Sequence, residues 1–211
     1  MDKTIGYTTI SSEIISEEFV INKSRFIGYA KGITDIDDAK WFIKQISKKH
    51  YDATHNCYAY LLDTYAKYGD DGEPQGTAGL PILDCIKKNE LTNVCVVVTR
   101  YYGGVKLGAG GLVRAYSQGA STVLASAKLL NYYPCALIEI QLSYDNYQPV
   151  LNYLPKVADY AIVKSVDYAD SVCVRCAVKV DKVQQLEQTI SNYSNGKAIW
   201  QITDYTYQLY N

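Results

Sequence analysis

Between Arg100 and Tyr116 the chain reads RYYGGVKLGAGGLVRAY. Three cations, Arg100, Lys106 and Arg114, stand among Tyr101, Tyr102 and Tyr116, with glycines at 103, 104, 108, 110 and 111. These residue types suit an anionic guest. Glycine admits positive φ and lets a ligand or a second backbone come close. Amides at a helix start hold phosphate oxygens, and bases stack on flat rings beside cations. The expected ligand or nucleic-acid contacts are therefore Arg100, Tyr101, Tyr102, Gly103, Gly104, Lys106, Gly108, Gly110, Gly111 and Arg114. No Gly-Lys-Ser/Thr follows the loop and GxGxxG spacing is missing, so nucleotide hydrolysis has little support. The pattern promises a binding surface and no reaction.

A second cluster, Asp70-Asp71-Gly72-Glu73-Pro74, precedes Gly76-Thr77-Ala78-Gly79. Its carboxylates, Asp70, Asp71 and Glu73, form a supporting acidic loop whose first expected role is pairing with Arg100 or Arg114. Magnesium binding ranks below that, since the spacing is not an EF-hand, and acid–base catalysis ranks lower still, with Glu73 its best candidate. His55 and Cys57 point to one face of a strand, where packing is the commoner reason than a nucleophile pair. Gly-x-Ser-x-Gly and HExxH are absent. No catalytic residue, metal site or cofactor is assigned.

The elements that must position these residues can be read from periodicity. Val94 to Val98 is a buried strand that feeds the glycine loop. A helix over 111–129 follows, with Leu112, Tyr116, Ala120, Val123 and Ala127 on its packed face and Arg114 off it. Upstream, Phe19–Ile21 and Arg25–Ile33 form a hairpin across Asn22-Lys23-Ser24. Asp35 caps a helix from Ile36 to Lys49. His55–Leu62 is a strand, 63–74 is turn-rich, and Thr77 caps a helix from Ala78 to Lys87. Pro134 marks a break, after which the order is β-α-β-β-α-β: strands at Ala136–Tyr144, Tyr160–Tyr168, Ser171–Val180 and Ile199–Tyr210, helices at Tyr147–Leu154 and Val183–Tyr193. Asp181 is the expected N-cap of the second helix and Gly196 its C′ residue.

The 211 residues, with 21 basic and 22 acidic side chains, suffice for a full core and leave no strongly basic body. Before Pro134 the net charge is +1 and after it −2, so any nucleic-acid contact must be local. The start MDKTIGYTTI has no signal-peptide pattern and no run approaches a membrane span, which points to a cytoplasmic chain without a membrane partner. Of six cysteines, five lie in apolar runs as buried thiols do, and Cys173 and Cys176 fall three apart on a strand, on opposite faces.

Taken together, Lys23-Ser24-Arg25-Phe26-Ile27, Ala53-Thr54-His55-Asn56-Cys57, DDGEPQGTAGLPIL from Asp70 and the glycine loop resemble the IMPACT family in its bacterial, YigZ-like branch. The resemblance is sharp over about 23–128 and rests on layout beyond 136. It implies an α+β protein of two domains. Residues 1–133 would carry the fold of a small-subunit ribosomal protein, elongation-factor domain IV and the GHMP kinases, and 134–211 a ferredoxin-like βαββαβ domain similar to elongation-factor domain V. Eukaryotic members regulate translation through an additional RWD domain, which this sequence does not contain. The reading that follows is a non-catalytic, translation-linked protein contacting RNA or the ribosome, with a protein partner in translation control as a further expectation. The alternative is a nucleotide- or phosphate-binding enzyme of GHMP-kinase-like fold.

Overall fold

Asn22 and Lys23, both at positive φ, turn the chain between β2 (Ile15–Ile21) and β3 (Ser24–Gly32), with Ile21 opposite Ser24. This is the two-residue hairpin geometry that matches strand twist. The computed structural model of the chain describes residues 6–63 and 65–210. On it β3 pairs with β6 (Val94–Tyr101), β6 with β4 (His55–Leu62), and β4 with β5 (Tyr65–Gly69). The sheet order is β2-β3-β6-β4-β5, antiparallel throughout.

Every residue of β6 from Val94 to Arg100 is buried, because helices cover both faces. Alternation then sorts its side chains. Val94, Val96 and Val98 join the core under α2 (Gly79–Lys88) and α3 (Gly108–Ala125). Cys95 and Val97 face α1 (Ile36–Lys49), which buries Ala39, Phe42 and Ile46. The same parity sets Arg100 on the α2/α3 face and Tyr101 on the α1 face. On β4, Cys57 and Ala59 belong to the α2/α3 core, so His55 shares that face. A Cβ at Gly28 of β3 would lie 2.4 Å from the Gly119 carbonyl oxygen of α3, so this helix sits on the sheet at a distance only glycine allows.

Asp35 caps α1 as expected, its side chain accepting from the Asp38 amide. Thr77 does not cap α2. Its hydroxyl donates to the Pro74 carbonyl, and the Asp70 carboxylate instead accepts the amides of Gly76, Ala78 and Gly79 at 2.8–3.1 Å. The stretch 63–74, expected to be turn-rich, contains β5. α3 begins at Gly108, three residues before the expected start, and ends at Ala125.

The remaining elements are β7 (Leu129–Leu142), α4 (Tyr147–Tyr153), β8 (Ala161–Tyr168), β9 (Val172–Lys179), α5 (Val183–Tyr193) and β10 (Ile199–Leu209). They give the expected β-α-β-β-α-β order, with strands running β10-β7-β9-β8 around a core that includes Ile138, Ile140, Leu142, Val174, Leu186 and Ile190. β1 (Tyr7–Ile10) joins this sheet beside β7. Pro134 breaks nothing. It lies inside β7, where the β9 ladder starts one residue later at Cys135. Asp181 sits in a 3-10 turn, Val180–Lys182, and supplies no side-chain cap to α5. The protein is α+β with two compact units. Among the described residues, one takes those within Thr8–Leu130 and the other those before Thr8 together with those from Asn131 onward.

Candidate functional site

Arg100 ends the buried part of β6 and is turned inward under α3, 5% exposed. Its Nη1 donates to Glu73 Oε1 at 2.6 Å, and the Tyr116 hydroxyl donates to the same oxygen at 2.8 Å. Burial raises the Tyr116 pKa far above its ordinary value, so this hydroxyl stays a donor. The pairing of the acidic loop with Arg100 is thus internal, and Arg100 Nε is buried with no hydrogen-bond partner among the described residues. Arg114 pairs with none of the carboxylates. It is exposed on α3, with Nη1 3.7 Å from where a Gly110 Cβ would stand.

The other two carboxylates serve the backbone. Asp70 caps α2 as above, and Asp71 Oδ2 accepts the Asn56 amide at 2.6 Å. Among the described residues no cluster of three or more His, Cys, Asp or Glu is placed to hold a metal ion.

The loop residues divide in their surroundings. Gly103 is packed so tightly that a Cβ would stand 2.0 Å from the Lys23 carbonyl carbon, and its amide donates to Ser24 Oγ at 3.2 Å. The Tyr102 amide donates to Thr54 Oγ1 at 3.0 Å, while its ring is 45% exposed with the Arg100 guanidinium 5.3 Å from its centroid. Tyr101, on the α1 face, is tied to His50 and Asp52. Tyr101 donates to Asp52, takes a bond from His50 Nδ1, and leaves His50 Nε2 to accept from Tyr29 at 2.7 Å. That chain requires a neutral imidazole. Burial, reinforced by Lys49 and Arg25, lowers the His50 pKa accordingly. Gly104, Lys106, Gly108 and Gly110 are exposed and Gly111 is half-buried. Gly104 and Gly108 take φ of 82° and 70° with open space around their Cα atoms.

These features surround a cavity of about 470 Å³ lined by Thr54, His55, Glu73, Pro74, Arg100, Tyr102, Lys106, Leu107, Gly108, Ala109 and Leu112. α3 points its N-terminus at it. That terminus has no side-chain cap and no acid in its first turn, so its leading amides have no side chain of their own to bond. The cavity therefore gathers Arg100, Tyr102, Lys106 and Gly108 from the loop with Glu73 from the acidic turn. Tyr101, Gly103, Gly104, Gly110, Gly111, Arg114, Asp70 and Asp71 are not among its lining residues.

His55 joins this wall although packing was its expected role. Its Nδ1 lies 2.7 Å from the Asp71 carbonyl oxygen and its Nε2 3.7 Å from Glu73 Oε1. The parity of β4 carried that information, since His55 and Arg100 are cross-strand partners on one face. Cys57 is packing, as expected: its thiol donates to the Asp70 carbonyl, and burial pushes its pKa far up.

Residues 22–124 match the Impact N-terminal domain and 140–197 match a domain of unknown function, DUF1949. IMPACT family member YvyE of Bacillus subtilis (strain 168) is 36% identical over 196 residues, covering 92% of this chain and 89% of that protein. The chain belongs to the IMPACT family. IMPACT family member YigZ of Escherichia coli (strain K12) is 33% identical over 181 residues, 83% of this chain and 88% of its own length. Protein IMPACT of Rattus norvegicus shares 35% over 94 residues, 29% of its length. A crystal structure of a hypothetical protein, 28% identical, superposes with a TM-score of 0.61 over 94% of this chain and 97% of that one. The cavity of this IMPACT family chain lies wholly within the span matched by the Impact N-terminal domain.

Proposed function

We propose that this protein is a cytoplasmic, translation-linked binding protein that contacts RNA or the ribosome through the cavity and loop at the start of α3. One observation carries the reading: an uncapped helix N-terminus opens on a cavity beside Lys106 and an exposed Tyr102, with no acid in the first turn to compete. Backbone N–H groups and the positive helix end suit a phosphate, a lysine adds charge, and an exposed ring offers a stacking surface. Membership of the IMPACT family, whose eukaryotic members the resemblance ties to translation control, supports the same reading and extends it to a protein partner in that process. Arg100, held by Glu73, organises the wall from behind.

The test is binding of RNA and of ribosomal subunits by the full chain at rising salt. Lys106→Glu combined with Arg114→Glu is expected to abolish binding while leaving the melting temperature unchanged, because both residues are exposed. A double variant that binds like the parent overturns the reading.

The alternative, an enzyme acting on a nucleotide or phosphate ester, draws on the cavity's size, which suits a small ligand, and on the His55–Glu73 juxtaposition. Turnover of a nucleotide or phosphate ester that is lost in His55→Ala would favour it.

A further inference from the structure

Resting on the anion-binding reading above, we infer that the cavity is a guanine-nucleotide pocket, taking the phosphate at the start of α3 and the base edge at His55 and Glu73. The inner wall presents two acceptors, His55 and Glu73, beside the Arg100 guanidinium, whose Nε has no hydrogen-bond partner among the described residues. A carbonyl oxygen cannot donate, so the bond to Asp71 fixes the proton of neutral His55 on Nδ1 and leaves Nε2 as a lone pair. Glu73, its side chain 4% exposed, spends Oε1 on Arg100 and Tyr116, and Oε2 takes no hydrogen bond from any described residue. Nε2 and Oε1 stand 3.7 Å apart, beyond hydrogen-bond distance. Two neighbouring acceptors on a cavity wall call for two neighbouring donors from a guest.

The four common bases differ in this respect. On its Watson–Crick edge guanine presents a ring N–H next to an amino group, two donors side by side. Adenine and cytosine set a ring-nitrogen lone pair beside the amino group, and uracil flanks its one N–H with carbonyls. Each of those three would turn an acceptor toward the carboxylate or the imidazole. A buried polar group left facing its own kind is the strong basis of discrimination, well beyond what apolar fit achieves. The same cavity also gathers donors: Lys106 and the leading amides of α3. A molecule that carries both a pair of neighbouring donors and a phosphate matches both sets of groups. Tyr102 and Leu107 add flat and apolar surface to the lining, and 470 Å³ falls in the range of small-ligand pockets.

The experiment is calorimetric titration of the full chain with GMP, AMP, CMP, UMP, guanosine and inorganic phosphate. GMP is expected to bind at least about tenfold tighter than the other three nucleotides, and tighter than guanosine or phosphate alone. His55→Ala should bring the GMP-to-AMP ratio close to one. Lys106→Ala should weaken GMP and AMP alike and keep the ratio. Both variants retain the Arg100–Glu73 pair, and their melting curves check that they fold. Short RNAs beginning with guanosine, with and without a 5′ phosphate, identify the source. A 5′-phosphorylated oligomer as tight as GMP marks an RNA end, and a weaker one marks the free nucleotide; either outcome supports the pocket. Equal affinity for all four nucleotides, or a GMP preference unchanged in His55→Ala, overturns the inference and leaves the phosphate-binding reading standing. Absence of binding by any nucleotide, phosphate or RNA overturns both.

Discussion

At the scale of single residues the decisive fact is that Arg100 looks inward. Its sequence neighbourhood suggested a phosphate contact and also a pairing with the acidic loop; strand parity at β6 brings it to Glu73. Removing one partner of a buried ion pair strands the other charge away from water, which costs far more than replacing both. Glu73→Ala is therefore expected to destabilise the protein by about 3–5 kcal/mol in urea unfolding. Arg100→Met combined with Glu73→Leu should recover most of that loss. If the double variant is as unstable as the single, the pair is not the source of the cost. Gly103 shows what sequence could not convey. Its glycine-rich setting was plain, yet its need for glycine comes from contact with Lys23, eighty residues away in the chain.

Elements were legible where the signal is local. α1 runs from Ile36 to Lys49 with its Asp35 cap, and β4 from His55 to Leu62, because cap, stripe and alternation all lie within the segments. Signals from elsewhere were lost. β5 is an edge strand, exposed from Tyr65 to Tyr68, with no apolar face to declare it. α3 begins within Gly108-Ala109-Gly110-Gly111, glycines that argue against a helix by intrinsic propensity. The α2 cap comes from Asp70, nine residues before the helix's first residue, Gly79, where a local motif search looks only to Thr77. From that geometry Asp70→Ala, which frees three amides, is expected to cost about 1–2 kcal/mol by denaturant unfolding. Thr77→Ala, which loses one bond to a carbonyl, should cost less. The reverse order would show that Thr77, not Asp70, holds the start of α2. Of the cavity, its loop half was visible as a glycine-rich, cationic run and Glu73 belonged to the acidic loop expected to pair with Arg100 or Arg114, while His55 joined them only when the sheet set β4 beside β6.

Taken whole, the chain has net charge −1, so it projects no general attraction toward a polyanion. On the proposed function, affinity for RNA would come from the few cations at the site. Each neutralised phosphate releases counterions and contributes about −0.7 to the slope of log affinity against log salt for a single strand. Lys106 and Arg114 are the exposed cations of the loop, and Arg100 is already neutralised by Glu73. Two contacts give a slope of about −1.4, or roughly a sevenfold loss of affinity between 50 and 200 mM salt. Replacing Lys106 alone with alanine should reduce the slope by about half. A measured slope steeper than about −4 would require a basic surface well beyond this loop, and would move the site of RNA contact away from the α3 N-terminus. A slope near the two-contact value that falls in Lys106→Ala would place the phosphates at the helix start, with the neighbouring cavity left to read what the phosphate carries.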